Sequence, residues 1–375
     1  MARRPADTPA EALPEADCVP GAPHPRAAAR VIGQDAAIAD FLRSAGSGRL
    51  HHAWLLAGPR GVGKATLAWA IARWLLEGGP PDSLDTDPDS ALARRLLALS
   101  EPRLALIRRP FNEKTGRHSA EITVEEIRRL LGFFQLTATD GGRRVAIIDA
   151  ADEMNTAAAN ALLKLLEEPP PGTVLLLVAH RPARLLPTIR SRCRLLRLGP
   201  LAPADMADVL EQTGAQVAPE EAAGLAALSG GSAGEALRLL GQGGLGTYQR
   251  LLSLVATLPR LDRQAVARIA DAAAARVQGD GDPFELTVTA LDRLLARLAL
   301  AGLTGPPQPP VTPEESAILA RLSPDANAAR DWADAQARLT AQARAGRAVN
   351  LDAAALVMDM LTRLAQVPAA QGARM

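Results

Sequence analysis

The run Ala53-Trp-Leu-Leu-Ala57, then Gly58-Pro-Arg-Gly61-Val-Gly63-Lys64-Ala65-Thr66, constrains this chain more than any other stretch. Five consecutive apolar residues predict a buried strand, and Leu67, Ile71, Trp74 and Leu75 predict the helix that follows. Between them lies a glycine-rich turn that closes on a lysine. Glycines let the backbone wrap an anion, its N–H groups point inward, and the helix N-terminus favours negative charge. Gly58 and Gly63-Lys64 follow the phosphate-loop pattern G-x-x-x-x-G-K-[ST] up to its last position, where Ala65 stands. The missing hydroxyl is the one that holds Mg²⁺ in hydrolysing nucleotidases. Thr66 comes one residue late, about 100° round the helix. The expected nucleotide-binding residues are therefore Gly58, Arg60, Gly61, Val62, Gly63, Lys64, Ala65 and Thr66. The loop suits a nucleotide and is poorly made for hydrolysing one.

Lysine usage sharpens this reading. Of 42 basic residues only Lys64, Lys114 and Lys164 are lysines; the other 39 are arginines. A compact ammonium and a planar guanidinium are not interchangeable at a phosphate. Lys64 thus stands out against a strongly Arg-biased background.

A second apolar strand, Val145-Ala-Ile-Ile-Asp149, ends in a carboxylate, the expected partner of a phosphate loop for holding Mg²⁺ directly or through water. The next residue, where hydrolytic versions commonly carry Glu, is Ala150; Asp152 is assigned a structural role beyond the strand end.

The surrounding pattern alternates. A short helix with Ile38, Phe41 and Leu42 on one face precedes the loop, and Gly78 to Ser90 reads as a loop after the helix ending near Glu77. A short helix near 90–99 and a strand at Leu104–Ile107 come next, then a basic, polar loop over 108–120. Thr123-Val-Glu-Glu126 is a capping box opening a helix with Ile127, Leu130, Leu131 and Phe134 inward. Asn155 caps a helix stopped by Pro169, and Thr173–Ala179 is another buried strand. This alternation predicts an α/β P-loop domain with a mainly parallel, helix-covered sheet. His51-His52 is read as the polar start of a strand, since adjacent strand residues point to opposite sides.

Beyond Pro200 no strand is predicted. Residues 203–241 read as three helices, the last opened by Ser232; 241–246 read as a glycine linker. From 247 to about 367 the pattern is helical, broken at Gly305–Pro310, with few polar clusters of chemical interest. Residues 1–28, with six prolines and no periodicity, read as a disordered leader.

Composition excludes several classes. Two cysteines and five histidines supply no Cys/His cluster at zinc-ligand spacing and no disulfide framework. A net charge of +1 gives no global attraction to nucleic acid. No apolar stretch approaches the ~18 residues of a membrane span, and the N-terminus has no signal-peptide core, so a cytoplasmic location without membrane partners is expected.

Ile32-Gly33-Gln34, the phosphate loop, Ile148-Asp149, Asn160-Ala-Leu-Leu-Lys-Leu-Leu-Glu-Glu-Pro-Pro170 and Ser191-Arg192-Cys193 together resemble bacterial clamp-loader subunits of the AAA+ class. The likeness is dense over 31–198 and architectural beyond. It implies a P-loop AAA+ domain over 29–199, a helical lid over 200–243 and an all-α collar, the oligomerisation domain, over 244–375. It also implies that Arg192 is an arginine finger reaching the ATP site of an adjacent subunit, a contribution worth about 10³–10⁵ in rate in such enzymes. The implied partners are a gamma/tau-like ATPase and a delta-like subunit in a heteropentameric ring, which loads a sliding clamp onto primed DNA within a DNA-directed DNA polymerase III assembly.

Three residues depart from the hydrolytic members: Ala65, Ala150, and Gly234 where those carry an Arg sensing the γ-phosphate. The zinc module many members carry is replaced by Pro80 to Ser90. The expectation is a subunit that donates Arg192, holds ATP or ADP without turnover, and binds no zinc. A gamma/tau-like motor, favoured by Lys64 and Asp149, remains an alternative, as do a small-molecule P-loop kinase and a scaffold that binds no nucleotide. Arg190, Arg192 and Arg194 would share one face of an extended run, and Arg143, Arg144, Arg181 and Arg184 are open between DNA contact and a solvated basic face.

Overall fold

The computed structural model describes residues 15–16, 18–20, 22–48, 50–112, 114–135, 142–276 and 281–367. The chain divides into two compact units, Met1–Pro200 and Leu201–Met375.

The first unit contains the strands β1 (Ala53–Ala57), β2 (Leu104–Ile107), β3 (Phe111–Asn112), β4 (Arg117–His118), β5 (Arg144–Asp149), β6 (Thr173–Ala179) and β7 (Arg194–Arg197). Its helices are α1 (Asp35–Gly46), α2 (Lys64–Glu77), α3 (Ala91–Leu97), α4 (Val124–Gln135), α5 (Thr156–Glu167) and the single turn α6 (Pro187–Arg190). Five strands form a parallel sheet in the order β2-β5-β6-β1-β7. β1 and β6 are buried along their whole length, as continuous apolar runs must be when helices cover both faces.

Strand alternation sorts these side chains into two cores. Trp54, Leu56, Ile147, Leu176 and Val178 pack with Phe41, Trp69, Trp74 and Leu96 on one face. Leu55, Ile148, Leu175 and Leu177 pack with Ile127, Leu130, Leu162 and Leu165 on the other. Each such side chain removed from water contributes about 1.5–3 kcal/mol. Phe41 meets Trp54 and Trp74 edge-on, with ring centroids 5.1 and 5.6 Å away, which locks α1 and α2 to β1.

Four expectations are corrected here. The polar loop over 108–120 contains the antiparallel pair β3–β4. Residues 194–197, assigned no strand, form β7; Leu196 is buried beneath it, and Arg194 lies 5.2 Å over the Trp54 ring and donates to Ser44 and Asp40. Arg190, Arg192 and Arg194 consequently fall on a helix, a turn and a strand, not on one extended face. The leader expected to be disordered lies outside the described residues over 1–14 and at 17 and 21, but Pro25–Ala27 forms a 3₁₀ turn. Glu15 fastens it by accepting bonds from Arg26 (2.8 Å) and Arg108 (2.6 Å).

The second unit is helical: α7 (Pro203–Gln212), α8 (Pro219–Ser229), α9 (Ala233–Gly241), α10 (Gly244–Ala256), α11 (Arg263–Ala274), α12 (Pro283–Thr304), α13 (Glu315–Leu322), α14 (Ala326–Ala348) and α15 (Ala353–Leu364). Ser232, Asp262, Asp282, Asp325 and Asp352 accept backbone N–H bonds at the N-termini of α9, α11, α12, α14 and α15. The expected linker at 241–246 is shorter, because Gly243 at φ +68° turns the chain straight into α10. One apolar core runs from Met206 and Leu225 through Leu294 and Trp332 to Leu361.

This unit also holds a polar cluster that the sequence reading passed over. Glu315 is fully buried and accepts bonds from Tyr248, from Arg297 Nε and Nη2 (both 2.8 Å) and from the Val311 N–H (2.6 Å). Arg297 donates further to the Pro309 carbonyl at 3.0 Å, so the pair pins the proline-rich break between α12 and α13. Among the described residues no helix is long and apolar enough to cross a membrane.

Candidate nucleotide-binding site

The phosphate loop leaves the C-terminal end of β1 and runs into α2. Gly58 is required for packing: a Cβ there would lie 2.3 Å from the Leu198 carbonyl, where the chain leaving β7 donates its N–H to Ala57 at 2.9 Å. Gly63 is required for conformation. It caps α2 at φ +99°, a region that favours glycine, and a Cβ built on it meets nothing within 4 Å. The helix N-terminus therefore opens onto space that backbone N–H groups can line, which fits a phosphate. Val62 is buried in the core and anchors the loop, while Arg60 is exposed and Ala65 and Thr66 are half-buried in the first turn. Gln34 braces the assembly: its side-chain amide donates to Val62 (3.0 Å) and Gly199 (2.9 Å) and accepts from the Gly199 N–H at 3.2 Å.

Lys64 is 2% exposed, and its ammonium donates to the Gly58 (2.8 Å) and Pro59 (2.5 Å) carbonyls of its own loop. Burial pushes its pKa down to about 8; the Asp149 and Asp152 carboxylates pull upward, and Arg60 adds to the depression. Asp149 ends β5, one strand beyond β6, at the same sheet edge as the loop. Asp152 accepts the N–H groups of His180 (3.0 Å) and Arg181 (2.9 Å), so it shapes the turn after β6, as its structural assignment anticipated.

His180 is a neighbour that the sequence reading missed. It follows β6 directly, between the ends of β5 and β1, and burial together with the Lys64 charge drives its pKa down to about 4. The available signal was a polar residue terminating an apolar strand of the same sheet. No group of three or more His, Cys, Asp or Glu with metal-ligand geometry occurs among the described residues. With alanine at position 65, the side chain present cannot supply the hydroxyl that completes a Mg²⁺ site.

Arg192 stands elsewhere. β7 begins with Arg194 opposite Trp54 and ends with Arg197 opposite Ala57, so Arg192 precedes the sheet edge from which β1 starts. Lys64 lies past the other edge, and the paired strands alone span about 10 Å at ~3.3 Å per residue. Arg192 Nη1 donates to the Thr188 carbonyl at 3.0 Å, and Nη2 forms an ion pair with Glu167 Oε1 at 3.0 Å. Ser191 closes the turn by donating to Thr188 at 3.1 Å. Cys193 packs into the core, where burial raises its thiol pKa to about 12 and leaves it unreactive. Of the other arginines singled out, Arg143, Arg181 and Arg184 are exposed, whereas Arg144 stacks 5.3 Å over the Phe133 ring. The structure thus brings Lys64, Asp149, Asp152 and His180 together and keeps Arg192 apart from them.

Parallel sheet, phosphate loop, strand-end aspartate and trailing helical unit define a P-loop domain of the AAA+ class. Comparison with known proteins is more specific. The family described as DNA polymerase III, delta subunit, matches residues 33–202. DNA polymerase III subunit delta' of Pseudomonas aeruginosa is 40% identical over 58% of this chain and 63% of its own length. The same subunit of Bacillus subtilis is 35% identical over 43% and 46%. Subunit gamma/tau of Mycobacterium tuberculosis is 31% identical over 72% of this chain and 48% of its own. The alignments thus span about half to three-fifths of these relatives. Over residues 33–202 the chain is thus similar to this family, and the relatives most like it there include DNA polymerase III delta' subunits.

Proposed function

We propose that this chain is a non-hydrolytic subunit of a clamp loader, presenting Arg192 in trans to the ATP held by a neighbouring subunit. The reading includes a heteropentameric ring with gamma/tau-like and delta-like subunits that loads a sliding clamp onto primed DNA. The observation that carries it is the separation of Arg192 from Lys64 by the length of the sheet. An arginine at the edge remote from its own phosphate loop cannot serve that loop, and can serve only a site brought to it. A guanidinium is the group to use there, because it delivers positive charge and forked N–H donors to phosphoryl oxygens.

The chain's own loop retains the elements that bind phosphate, Lys64 and the α2 N-terminus, and lacks those that drive hydrolysis. Ala65 brings no Mg²⁺ hydroxyl and Ala150 no water-positioning carboxylate. ATP or ADP held there would serve structure. The hydrolytic gamma/tau-like reading is supported by Lys64 and Asp149 at one sheet edge and opposed by these two alanines.

The test is ATP turnover by the chain alone and by the reconstituted loader. The proposal expects none from the chain alone, and loss of the loader's turnover at the site Arg192 faces when it is changed to alanine. Turnover by the chain alone that Lys64→Ala destroys would favour the motor.

A further inference from the structure

We propose that Glu167 is the positioning residue of Arg192, holding its guanidinium ready for the neighbouring site; the inference rests on the finger reading above. Glu167 occupies the last turn of α5, where backbone carbonyls carry partial negative charge and a carboxylate is locally unfavourable. Its place there is explained by its partner, Arg192 Nη2 at 3.0 Å.

The pairing uses the guanidinium sparingly. Arginine has five N–H donors. One on Nη1 goes to Thr188, and Nη2 pairs with Glu167 Oε1 as an ion pair; the guanidinium donates no other hydrogen bond to the described residues. The arginine side chain keeps 37% of its surface in solvent and Glu167 keeps 49%. Two anchors from one chain, a carbonyl on the α6 turn and a carboxylate on α5, thus restrain a long, rotamer-rich side chain. They leave a fork of donors to present. Restraint before the partner arrives lowers the entropy lost when the phosphoryl group is engaged. The opposite role, a carboxylate that sequesters the finger, makes the opposite prediction for the same variants.

The experiment measures ATP turnover against ATP concentration in the reconstituted loader carrying Glu167→Ala, Glu167→Gln, Arg192→Ala or both alanine changes. Positioning predicts that Glu167→Ala lowers kcat about threefold to tenfold, roughly 0.7–1.4 kcal/mol, with KM for ATP unchanged. Glu167→Gln, which keeps an acceptor oxygen, recovers most of the loss, and Glu167→Ala adds nothing when Arg192 is already alanine. A mere contribution to folding would give neither the glutamine rescue nor this non-additivity. Unchanged or raised turnover in Glu167→Ala, with Arg192→Ala still inactive at its site, overturns the positioning role and leaves the finger standing. Full turnover in Arg192→Ala overturns both.

Discussion

Arg192 and Glu167 form an ion pair, Nη2 to Oε1 at 3.0 Å, at the sheet edge opposite Lys64. Both partners are substantially exposed, and exposed pairs contribute about 0–1 kcal/mol. Removing either therefore leaves the fold intact. Arg192→Ala and Glu167→Ala should each move the thermal midpoint by no more than about 4 °C, as measured by circular dichroism. A larger fall would mean that the pair is architectural and that its functional reading needs revision.

The proposed nucleotide binding at Lys64 would depend on pH. Its ammonium is depressed to about 8 in the free chain, chiefly by burial, and a bound phosphate favours the charged form. Below pH 8 the proton is already present. Above it, binding must take the proton up, so affinity falls by up to about tenfold per pH unit. Calorimetry in buffers of different ionisation enthalpy should show uptake of nearly one proton at pH 9, almost none at pH 7, and no such difference in Lys64→Ala.

His180 contributes acid sensitivity. Burial and the Lys64 charge hold its pKa at about 4, below the 6.5 of an unperturbed imidazole. Between these values the unfolded chain binds a proton that the native chain does not, so stability rises with pH and is lost on acidification from 6.5 toward 4. Urea titrations at pH 7 and pH 5 should show a smaller acid loss in His180→Gln than in wild type.

In the helical unit, Glu315 is fully buried against Arg297 and Tyr248. Glu315→Ala strands a buried guanidinium, at a cost of about 3–5 kcal/mol. That corresponds to roughly 10 °C or more in the melting of this unit. The break at Gly305–Pro310 should become protease-sensitive, because Arg297 holds both Pro309 and Glu315.

The parts of this molecule legible in the sequence are those whose signal is local. β1 and β6 are continuous apolar runs because both sheet faces are covered, and their observed bounds, 53–57 and 173–179, follow those runs. The Asn155 cap of α5 and the Ser232 cap of α9 are equally local, each accepting the N–H three residues on. β7 was not legible, since it is a four-residue edge strand with arginines at both ends and Leu195 38% exposed. Its strand character comes from pairing with β1, a partner about 140 residues away. His180 needed the sheet order before it could be placed beside Lys64. Glu315 looks like any acidic residue of a first helical turn, and only the return of Tyr248 and Arg297 from other helices shows it to be buried.

For the phosphate loop, the motif located the site but did not assign the reason for each glycine. Gly58 answers to the Leu198 carbonyl and Gly63 to a left-handed cap, and only the second lies over the open helix terminus.

The most direct test of the central claim is steady-state ATP turnover by the loader reconstituted with wild-type chain or with Arg192→Ala, beside the chain alone. No turnover is expected from the isolated chain. Wild-type chain should stimulate turnover in the assembly, and Arg192→Ala should remove that stimulation at its site with the variant still folded and incorporated. Turnover by the isolated chain that Lys64→Ala eliminates, or an assembly indifferent to Arg192→Ala, would contradict it.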